Sequence, residues 1–131
     1  MAHPNEEMLR AAYAAFARGD LDGYLDYCTA DITFHVPGRS PVAGTFTRGQ
    51  FHDPFIRTVM ERSGGTFRET LIDVLAGDDH GVVLLLHELE REGQPQRYST
   101  AHVYRIREGK LASFEEYPQD LYAFDEAWGA P

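Results

Sequence analysis

From Thr66 onward the chain alternates polar and apolar residues with a period of two, and this pattern constrains the fold more than any other feature. Four segments carry it: "TFRETLIDVLA", "GVVLLLHELERE", "QRYSTAHVYRIR" and "KLASFEEY". The stretches between them, "GDDH", "EGQP" and "REGK", are rich in the residues typical of hairpin turns. The pattern therefore predicts four consecutive strands joined by hairpins, in an antiparallel meander.

The first half of the chain predicts helices and one further strand. Asn5, followed by two glutamates, indicates the start of a helix, and Asp20 can cap a second one. Asp53-Pro54 has the cap-then-proline order that opens a third helix. "DITFHV" is interpreted as a short strand, "RSPVAGTFTRGQ" as a loop and the tail "PQDLYAFDEAWGAP" as a short docked helix. This order predicts a single α+β domain over residues 1–131, with the helices on one side of a curved sheet.

Charge and composition exclude several classes of partner. The formal net charge is -9, which argues against nucleic acid or an anionic membrane surface, since both attract basic patches. No apolar run approaches the length of a membrane span, and "MAHPNEEML" lacks the apolar core of a signal peptide. The single cysteine, Cys28, excludes an intramolecular disulfide and fits a reducing compartment. We expect a cytoplasmic protein without nucleic-acid or membrane partners.

The meander has one charged face and one mixed face, and we expect the mixed face to be covered. With Gly93-Gln94 as a two-residue turn, His87 lies opposite Thr100 and Leu85 lies opposite His102. Glutamates and arginines then pair across the strands on one face, as on a solvated sheet surface. His87 and His102 therefore point inward, diagonally related, with Cβ atoms roughly 6–8 Å apart. The inward face collects Val83, Leu85, His87, Leu89, Tyr98, Thr100, His102, Tyr104 and Ile106.

The last hairpin adds an inward carboxylate, although its register has two solutions. If Glu108-Gly109 is a two-residue turn, Glu115 lies opposite His102 and Tyr117 lies near Thr100. If the loop has three residues and a bulge, Glu116 faces inward together with its neighbour Phe114. We favour Glu115. A buried carboxylate beside two imidazoles is costly unless it is hydrogen-bonded or hydrated, so either register favours a pocket over a solid core.

Three long segments suggest a family. "FARGDLDGYLDYCTADITFHVPGRSPVAG", "GGTFRETLIDVLAGDDHGVVLL" and "HVYRIREGKLASFEEYPQDLYAFDEAW" resemble the nuclear-transport-factor-2-like superfamily, in its ketosteroid-isomerase-like and SnoaL-like (polyketide-cyclase-like) branch. The resemblance implies a cone-shaped, curved antiparallel sheet packed against three N-terminal helices around a central cavity. It also implies a homodimer and no metal or cofactor. One such fold hosts isomerases, cyclases, hydrolases, dehydratases and binders, so the fold alone does not give the function.

The isomerase residues do not carry over to this chain as a set. The family's general base, an aspartate at the end of the first strand, falls on Val36, and its first oxyanion donor, a tyrosine, falls on Ala12, next to Tyr13. Its second oxyanion donor falls on His102. Because that mechanism needs a carboxylate base and a neutral donor, steroid isomerisation by this route is not expected. Cyclase-like relatives use an acidic residue and a histidine in the same cavity, and His102 with Glu115 or Glu116 fits those parts.

Two hypotheses follow for the function. In the first, the chain is a cofactor-independent acid/base enzyme that isomerises, cyclises, dehydrates or opens an epoxide in a small apolar oxygenated molecule. His102 transfers a proton, Glu115 is its partner acid, and His87 and Tyr104 hydrogen-bond a developing oxyanion. Further residues expected to contact the substrate are Tyr104, His35 at the cavity mouth, Tyr13, Leu85 and Tyr117.

In the second hypothesis, the same cavity belongs to a small-molecule-binding or homodimeric accessory protein without catalysis. Val36 at the place of the isomerase base favours this interpretation. A metal site made of His87, His102 and Glu115 has suitable ligand types. No two of these ligands lie at metal-binding spacing on a single strand, and we expect no metal there.

Overall fold

The computed structural model describes residues 2–131. Two helices precede the sheet, a third follows its first two strands, and a fourth closes the chain. The helices are α1 (Pro4–Ala17), α2 (Leu21–Leu25), α3 (Arg57–Ser63) and α4 (Leu121–Trp128). The strands are β1 (Cys28–Val36), β2 (Gly44–Thr47), β3 (Arg68–Ala76), β4 (His80–Arg91), β5 (Gln94–Arg107) and β6 (Lys110–Pro118). The predicted α+β class, the four-strand meander and the tail helix are confirmed.

The six strands form one curved, open sheet in the order β2-β1-β6-β5-β4-β3. All neighbours are antiparallel except β1 and β6, which run parallel. The expected antiparallel arrangement holds for the other pairs, and β1 and β6 are the one exception among the described strands. The segment predicted as a loop also contains β2, whose Phe46 pairs with Phe34 of β1. These differences arise because β1 comes from the N-terminal half and inserts beside the last strand of the meander.

The helices begin close to where the sequence indicates. Residue His3, not Asn5, caps α1, because its ring accepts a hydrogen bond from the Asn5 backbone N–H. Asp20 caps α2, as predicted. Before α3 the chain winds through Arg48–Gln50 and Phe51–Ile56, where Asp53 keeps an extended backbone. The regular part of the third helix therefore starts later than Asp53-Pro54 suggests.

The turn between β4 and β5 is Glu92-Gly93, one residue earlier than predicted. Both residues have positive φ, 54° and 76°, as a two-residue hairpin turn of this type requires. The register is therefore shifted by two: His87 pairs with Tyr98, and His102 pairs with Val83. Because side chains alternate with a period of two, this slip leaves every residue on its predicted face. His87 and His102 are both buried on the inward side, as predicted.

The turn between β5 and β6 is the predicted Glu108-Gly109, but a bulge follows it. Ile106 pairs with Leu111, whereas Arg105 pairs with Ser113, so Ala112 is an extra residue on β6. Beyond the bulge the alternation is reversed, and Glu116 lies opposite His102. The preference for Glu115 is wrong: Glu116 is 9% exposed, and Glu115 is exposed on the outer face.

The outer face of the sheet is less uniformly charged than expected. The predicted pairing of glutamate with arginine across the strands is present at Glu88 and Arg97. Towards the middle, however, the outer face carries apolar side chains, and exposed Leu84 and Tyr117 are both paired with Ala101. We call this surface the outer apolar patch; it comprises Val82, Leu84, Ala101, Val103 and Tyr117.

The main core lies between the inner face of the sheet and the helices. Leu9 of α1, Phe34 of β1 and Phe124 of α4 are all at most 1% exposed. Burying a large apolar side chain of this kind stabilises the fold by about 1.5–3 kcal/mol. None of the helices within residues 2–131 is both long enough and apolar enough to cross a membrane.

Candidate functional site

A cavity lies inside the cone, between the inner face of the sheet and the helices. Its total empty space, which includes a part open to solvent, is about 550 Å³. The enclosed space that the centres of water molecules can occupy is about 60 Å³. One buried water needs roughly 10–15 Å³ of this enclosed space, so the cavity holds several waters or one small molecule. Aromatic and aliphatic side chains line most of it, among them Phe34, Val36, Val42, Phe51 and Phe55.

Polar side chains from several strands and helices gather at one part of this wall. His102 of β5 and Glu116 of β6 lie opposite each other in the sheet, and Glu116 Oε2 is 3.4 Å from His102 Nε2. Thr100 donates a 3.0 Å hydrogen bond to the same carboxylate oxygen. The contact between His102 and Glu116 is not aligned as a hydrogen bond, so the fully buried Nε2 of His102 has no hydrogen-bond partner among the described residues.

Three tyrosine hydroxyl groups form a chain that ends at the other ring nitrogen of His102. Tyr24 contacts Tyr104 at 2.7 Å, Tyr104 contacts Tyr13 at 2.6 Å, and Tyr13 contacts His102 Nδ1 at 2.6 Å. The chain connects α2, β5 and α1, so helix packing fixes the orientation of the imidazole. Burial raises the pKa of all three phenols well above the ordinary value, so the hydroxyl groups keep their protons.

His87 has a partner on each ring nitrogen. Its Nε2 lies 2.8 Å from Glu69 Oε2, and its Nδ1 lies 2.9 Å from the hydroxyl group of Tyr98. Trp128 of α4 donates its indole N–H to the same hydroxyl oxygen at 2.8 Å. Because both nitrogens are engaged, His87 has no free polar atom to offer a ligand.

The two histidines and Glu116 form one electrostatic unit. The ring centroids of His87 and His102 are 5.4 Å apart, and Glu116 Oε2 is 3.7 Å from His87 Nδ1. Burial alone would raise the pKa of Glu116, but the neighbouring imidazoles of His102 and His87 and the hydrogen bond from Thr100 hold it below its ordinary value. Burial would lower the pKa of His87, but the hydrogen bond and charge of Glu69, with the charge of Glu116, raise it. The carboxylate is therefore held ionised and the His87 imidazolium is favoured.

Four of the predicted site residues lie around the cavity. His102, His87, Tyr104 and Tyr13 all line it. Leu85 is buried on the inward face, as predicted, but it does not line the cavity, because the two-residue shift moves it opposite Thr100.

Three predicted site residues lie outside the cavity. Glu115 is exposed because of the bulge, and the same reversal places Tyr117 on the outer face, where it is 54% exposed. His35 is exposed and pairs with Thr45 through a 2.8 Å hydrogen bond, because strict alternation along β1 holds and turns it away from the core.

Sequence reasoning missed Glu69, which completes the polar cluster from β3. Its position between Phe67 and Leu71, both packed against the core, is the period-two signal that would have placed it inward. Trp128 lies in the tail that was predicted as a short docked helix. Its backbone carbonyl accepts hydrogen bonds from Arg62, so α4 is fastened at the point where the indole reaches Tyr98.

Three of these groups are of types that bind metals. Glu69, His87 and His102 each offer one ligand atom, and these atoms lie within 4.8 Å of one another. A nitrogen–oxygen–nitrogen set of this kind suits iron or zinc. However, His87 Nε2 and the Glu69 carboxylate are joined directly at 2.8 Å, a hydrogen-bond distance. The arrangement therefore fits a hydrogen-bonded pair better than an open metal centre.

The family of the chain is decided by comparison with known proteins. The model of the SnoaL-like domain matches residues 9–114. This chain belongs to the SnoaL-like family. The expected branch of the nuclear-transport-factor-2-like superfamily is thus confirmed.

Several solved structures resemble this chain over almost its whole length. Bal32a, from a soil-derived mobile gene cassette, is 32% identical, with a TM-score of 0.87 over 96% of this chain and 97% of its own. TerC, co-crystallised with polyporic acid, is 25% identical, with a TM-score of 0.84 over 96% and 98%. An NTF2-like protein of unknown function from Burkholderia pseudomallei is 23% identical, with a TM-score of 0.85 over 98% and 100%, a likeness of fold alone.

Proposed function

We propose that this SnoaL-like protein is a cofactor-independent acid/base enzyme acting on a small, mostly apolar, oxygenated molecule. Glu116 accepts a proton from the bound molecule, and His102 donates a hydrogen bond, or a proton, to its oxygen. This pair suits isomerisation, aldol cyclisation, dehydration or epoxide opening, which all need a base and an acid on one molecule.

The observation that carries the proposal is the unpartnered, buried Nε2 of His102, 3.4 Å from an ionised carboxylate. A buried polar atom without a partner is unfavourable by about 1–3 kcal/mol in a folded protein, and such atoms concentrate where a ligand supplies the missing bond. A carboxylate and an imidazole side by side in an apolar cavity are also residue types that general acid–base catalysis uses. The relative TerC, crystallised with polyporic acid, supports an organic ligand for this fold.

The roles of the pair differ from those first expected. Glu116 takes the position expected for Glu115. His87 acts through Glu69 and Glu116 instead of touching an oxyanion, because both of its nitrogens are engaged. Tyr104 likewise acts through the chain to His102, since its hydroxyl group already contacts two other tyrosines.

The exchange of α-protons for deuterium in cyclohexanone tests the proposal without knowledge of the natural substrate. With the protein in heavy water, proton NMR is expected to show exchange faster than in buffer alone. General acid–base groups contribute about 10²–10⁴-fold, so Glu116→Gln is expected to lose about 10²-fold or more of the acceleration. The matched control Glu115→Gln, on the outer face, is expected to keep it.

A second candidate function is small-molecule binding without chemistry. Two observations favour it. Val36 lies in the cavity wall at the place of the isomerase base. The hydroxyl groups of Tyr13, Tyr24 and Tyr104 are all hydrogen-bonded within the protein. Cyclohexanone that binds in the cavity but exchanges at the rate of buffer would refute the catalytic proposal and support this one.

A further inference from the structure

The donors and acceptors at the polar end of the cavity can be counted one by one, and the count describes the ligand. The chain from Tyr24 through Tyr104 and Tyr13 to His102 has three contacts and three hydroxyl protons. If each hydroxyl donates towards His102, every proton fills one contact. His102 Nδ1 is then the acceptor of the last one, and the ring carries its own proton on Nε2.

The opposite direction of the chain is unfavourable at both ends. His102 Nδ1 would donate to Tyr13, and the last proton, on Tyr24, would have no acceptor among the described residues. At the other end, the bare lone pair of Nε2 would face the Glu116 carboxylate at 3.4 Å. A buried unpaired donor and two opposed acceptors are both costly. His102 therefore presents an N–H group to the cavity.

Glu116 presents the complementary group. Its Oε2 accepts the hydrogen bond from Thr100, whereas Oε1 receives no hydrogen bond from residues 2–131. The site thus has one unpaired donor, His102 Nε2–H, and one unpaired acceptor, Glu116 Oε1, whose partner oxygen Oε2 is 3.4 Å from Nε2. Because the two groups belong to adjacent side chains, a ligand that satisfies both needs an accepting atom and a donating atom close together, as on neighbouring carbons.

Charge and volume restrict the ligand further. Two carboxylates, Glu69 and Glu116, line the cavity, and none of its lining residues within the described chain is Lys or Arg. A ligand anion would enter an apolar space next to like charges, and the imidazolium of His87 could not receive it because both ring nitrogens are already engaged, so its binding is strongly unfavourable. The hollow accommodates a molecule of about the size of one ring, and its remaining walls are aromatic or aliphatic.

We infer that the site binds a neutral, ring-sized molecule that carries an accepting oxygen and a hydroxyl group on neighbouring carbons, and that it excludes carboxylates. The accepting oxygen lies on His102 Nε2–H, the hydroxyl group donates to Glu116, and the ring packs against the aromatic wall. This inference rests on the proposed function for the location of the ligand, but it concerns binding and not catalysis.

Four small aromatic probes test the inference by isothermal titration calorimetry at pH 7. Catechol carries both groups, phenol carries one oxygen, 1,2-dimethoxybenzene has no donor, and benzoate is charged. A hydrogen bond to a charged group contributes about 1.5–3 kcal/mol, so we expect catechol to bind about tenfold or more tightly than phenol. The dimethoxy compound should bind more weakly than phenol, and benzoate should not bind.

A pair of adjacent glutamates gives the matched variants. Glu116→Gln removes the charged acceptor and should lower the affinity for catechol about tenfold, towards that of phenol. Glu115→Gln, one residue away on the outer face, should leave it unchanged. Circular dichroism and the urea midpoint of each variant show whether it is folded; if Glu116→Gln is unfolded, Glu116→Asp, which draws the carboxylate back by one methylene, replaces it with the same expectation.

Each contrary result overturns the inference in a recognisable way. Equal affinity for catechol and phenol, binding of benzoate, or failure of all four probes to bind refutes the ligand class. Equal affinity for catechol and phenol leaves the proposed acid/base function standing if exchange in cyclohexanone is still accelerated. A preference for catechol without accelerated exchange supports the ligand class and refutes catalysis.

Discussion

Substitution of Tyr104 by phenylalanine tests whether the tyrosine chain holds His102. Tyr104 is 0% exposed, and its hydroxyl group makes two of the three contacts between the hydroxyl groups and His102, at 2.6 and 2.7 Å. The change removes a single oxygen and leaves the ring and its packing in place. Two net hydrogen bonds contribute about 1 kcal/mol each, and the Tyr24 hydroxyl group is left buried without a partner. We therefore expect Tyr104→Phe to lower the free energy of unfolding by about 2–3 kcal/mol.

Urea unfolding followed by tryptophan fluorescence measures this loss, because the only tryptophan, Trp128, is buried. The expected result is a lower midpoint with an unchanged slope. Tyr122→Phe is the control: Tyr122 is 89% exposed, and its variant should lie within about 0.5 kcal/mol of the wild type. If Tyr104→Phe is no more destabilising than Tyr122→Phe, the tyrosine hydroxyl groups are not linked in solution, and nothing then holds the proton of His102 on Nε2.

Three further predictions concern pH, metals and assembly. His87 faces Glu69, Glu116 and Tyr98, and its pKa is raised above the ordinary value of 6.5. Protonated His87 therefore stabilises the fold fully below pH 6.5, and this stabilisation is lost as the pH rises through the raised pKa. The pKa of Glu116 is lowered, so its ionised carboxylate stabilises the fold fully above pH 4.5, and this stabilisation is lost as the pH falls through the lowered pKa. The free energy of unfolding in urea should therefore be greatest between pH 4.5 and pH 6.5. Glu116→Gln should flatten the acid side of this profile and Glu115→Gln should not; identical acid sides in wild type and Glu116→Gln would contradict it. Neither zinc nor EDTA should shift the urea midpoint, because Glu69 and His87 are already bonded to each other; stabilisation by zinc would reverse that conclusion. The outer apolar patch is expected to bury itself in a homodimer, so sedimentation should give a dimer for the wild type and a monomer for Leu84→Arg; a monomeric wild type would refute the dimer.

The fold and the inward histidines could be predicted because alternation is robust to errors in the turn. The β4–β5 register was misplaced by two residues, yet a shift of two keeps His87 and His102 on the same face. The prediction of which glutamate faces inward did not have this tolerance, because one extra residue at Ala112 exchanges the inner and outer faces of β6. No glycine or proline marks this bulge in "KLASFEEY", so the choice between Glu115 and Glu116 had no local signal.

The connections within the site were beyond the reach of sequence reasoning for a different reason. Glu69 meets His87 across the β3–β4 pair, which contains its own register shift between Leu71 and Asp73. Tyr24 and Trp128 reach the cavity from helices, whose docking angles are set by packing and not by periodicity. Long-range geometry therefore decided which of the inward polar groups became partners.

The decisive measurement locates the proton on the imidazole ring of His102. Nitrogen-15 NMR of the imidazole rings distinguishes a protonated ring nitrogen from a bare one. The chain has six histidines, and comparison with His102→Gln assigns the signals of this ring. At neutral pH we expect a bare Nδ1, which accepts from Tyr13, and a protonated Nε2, which faces the cavity. A proton on Nδ1 and a bare Nε2 would contradict the account, because His102 would then have no N–H group for a ligand's oxygen.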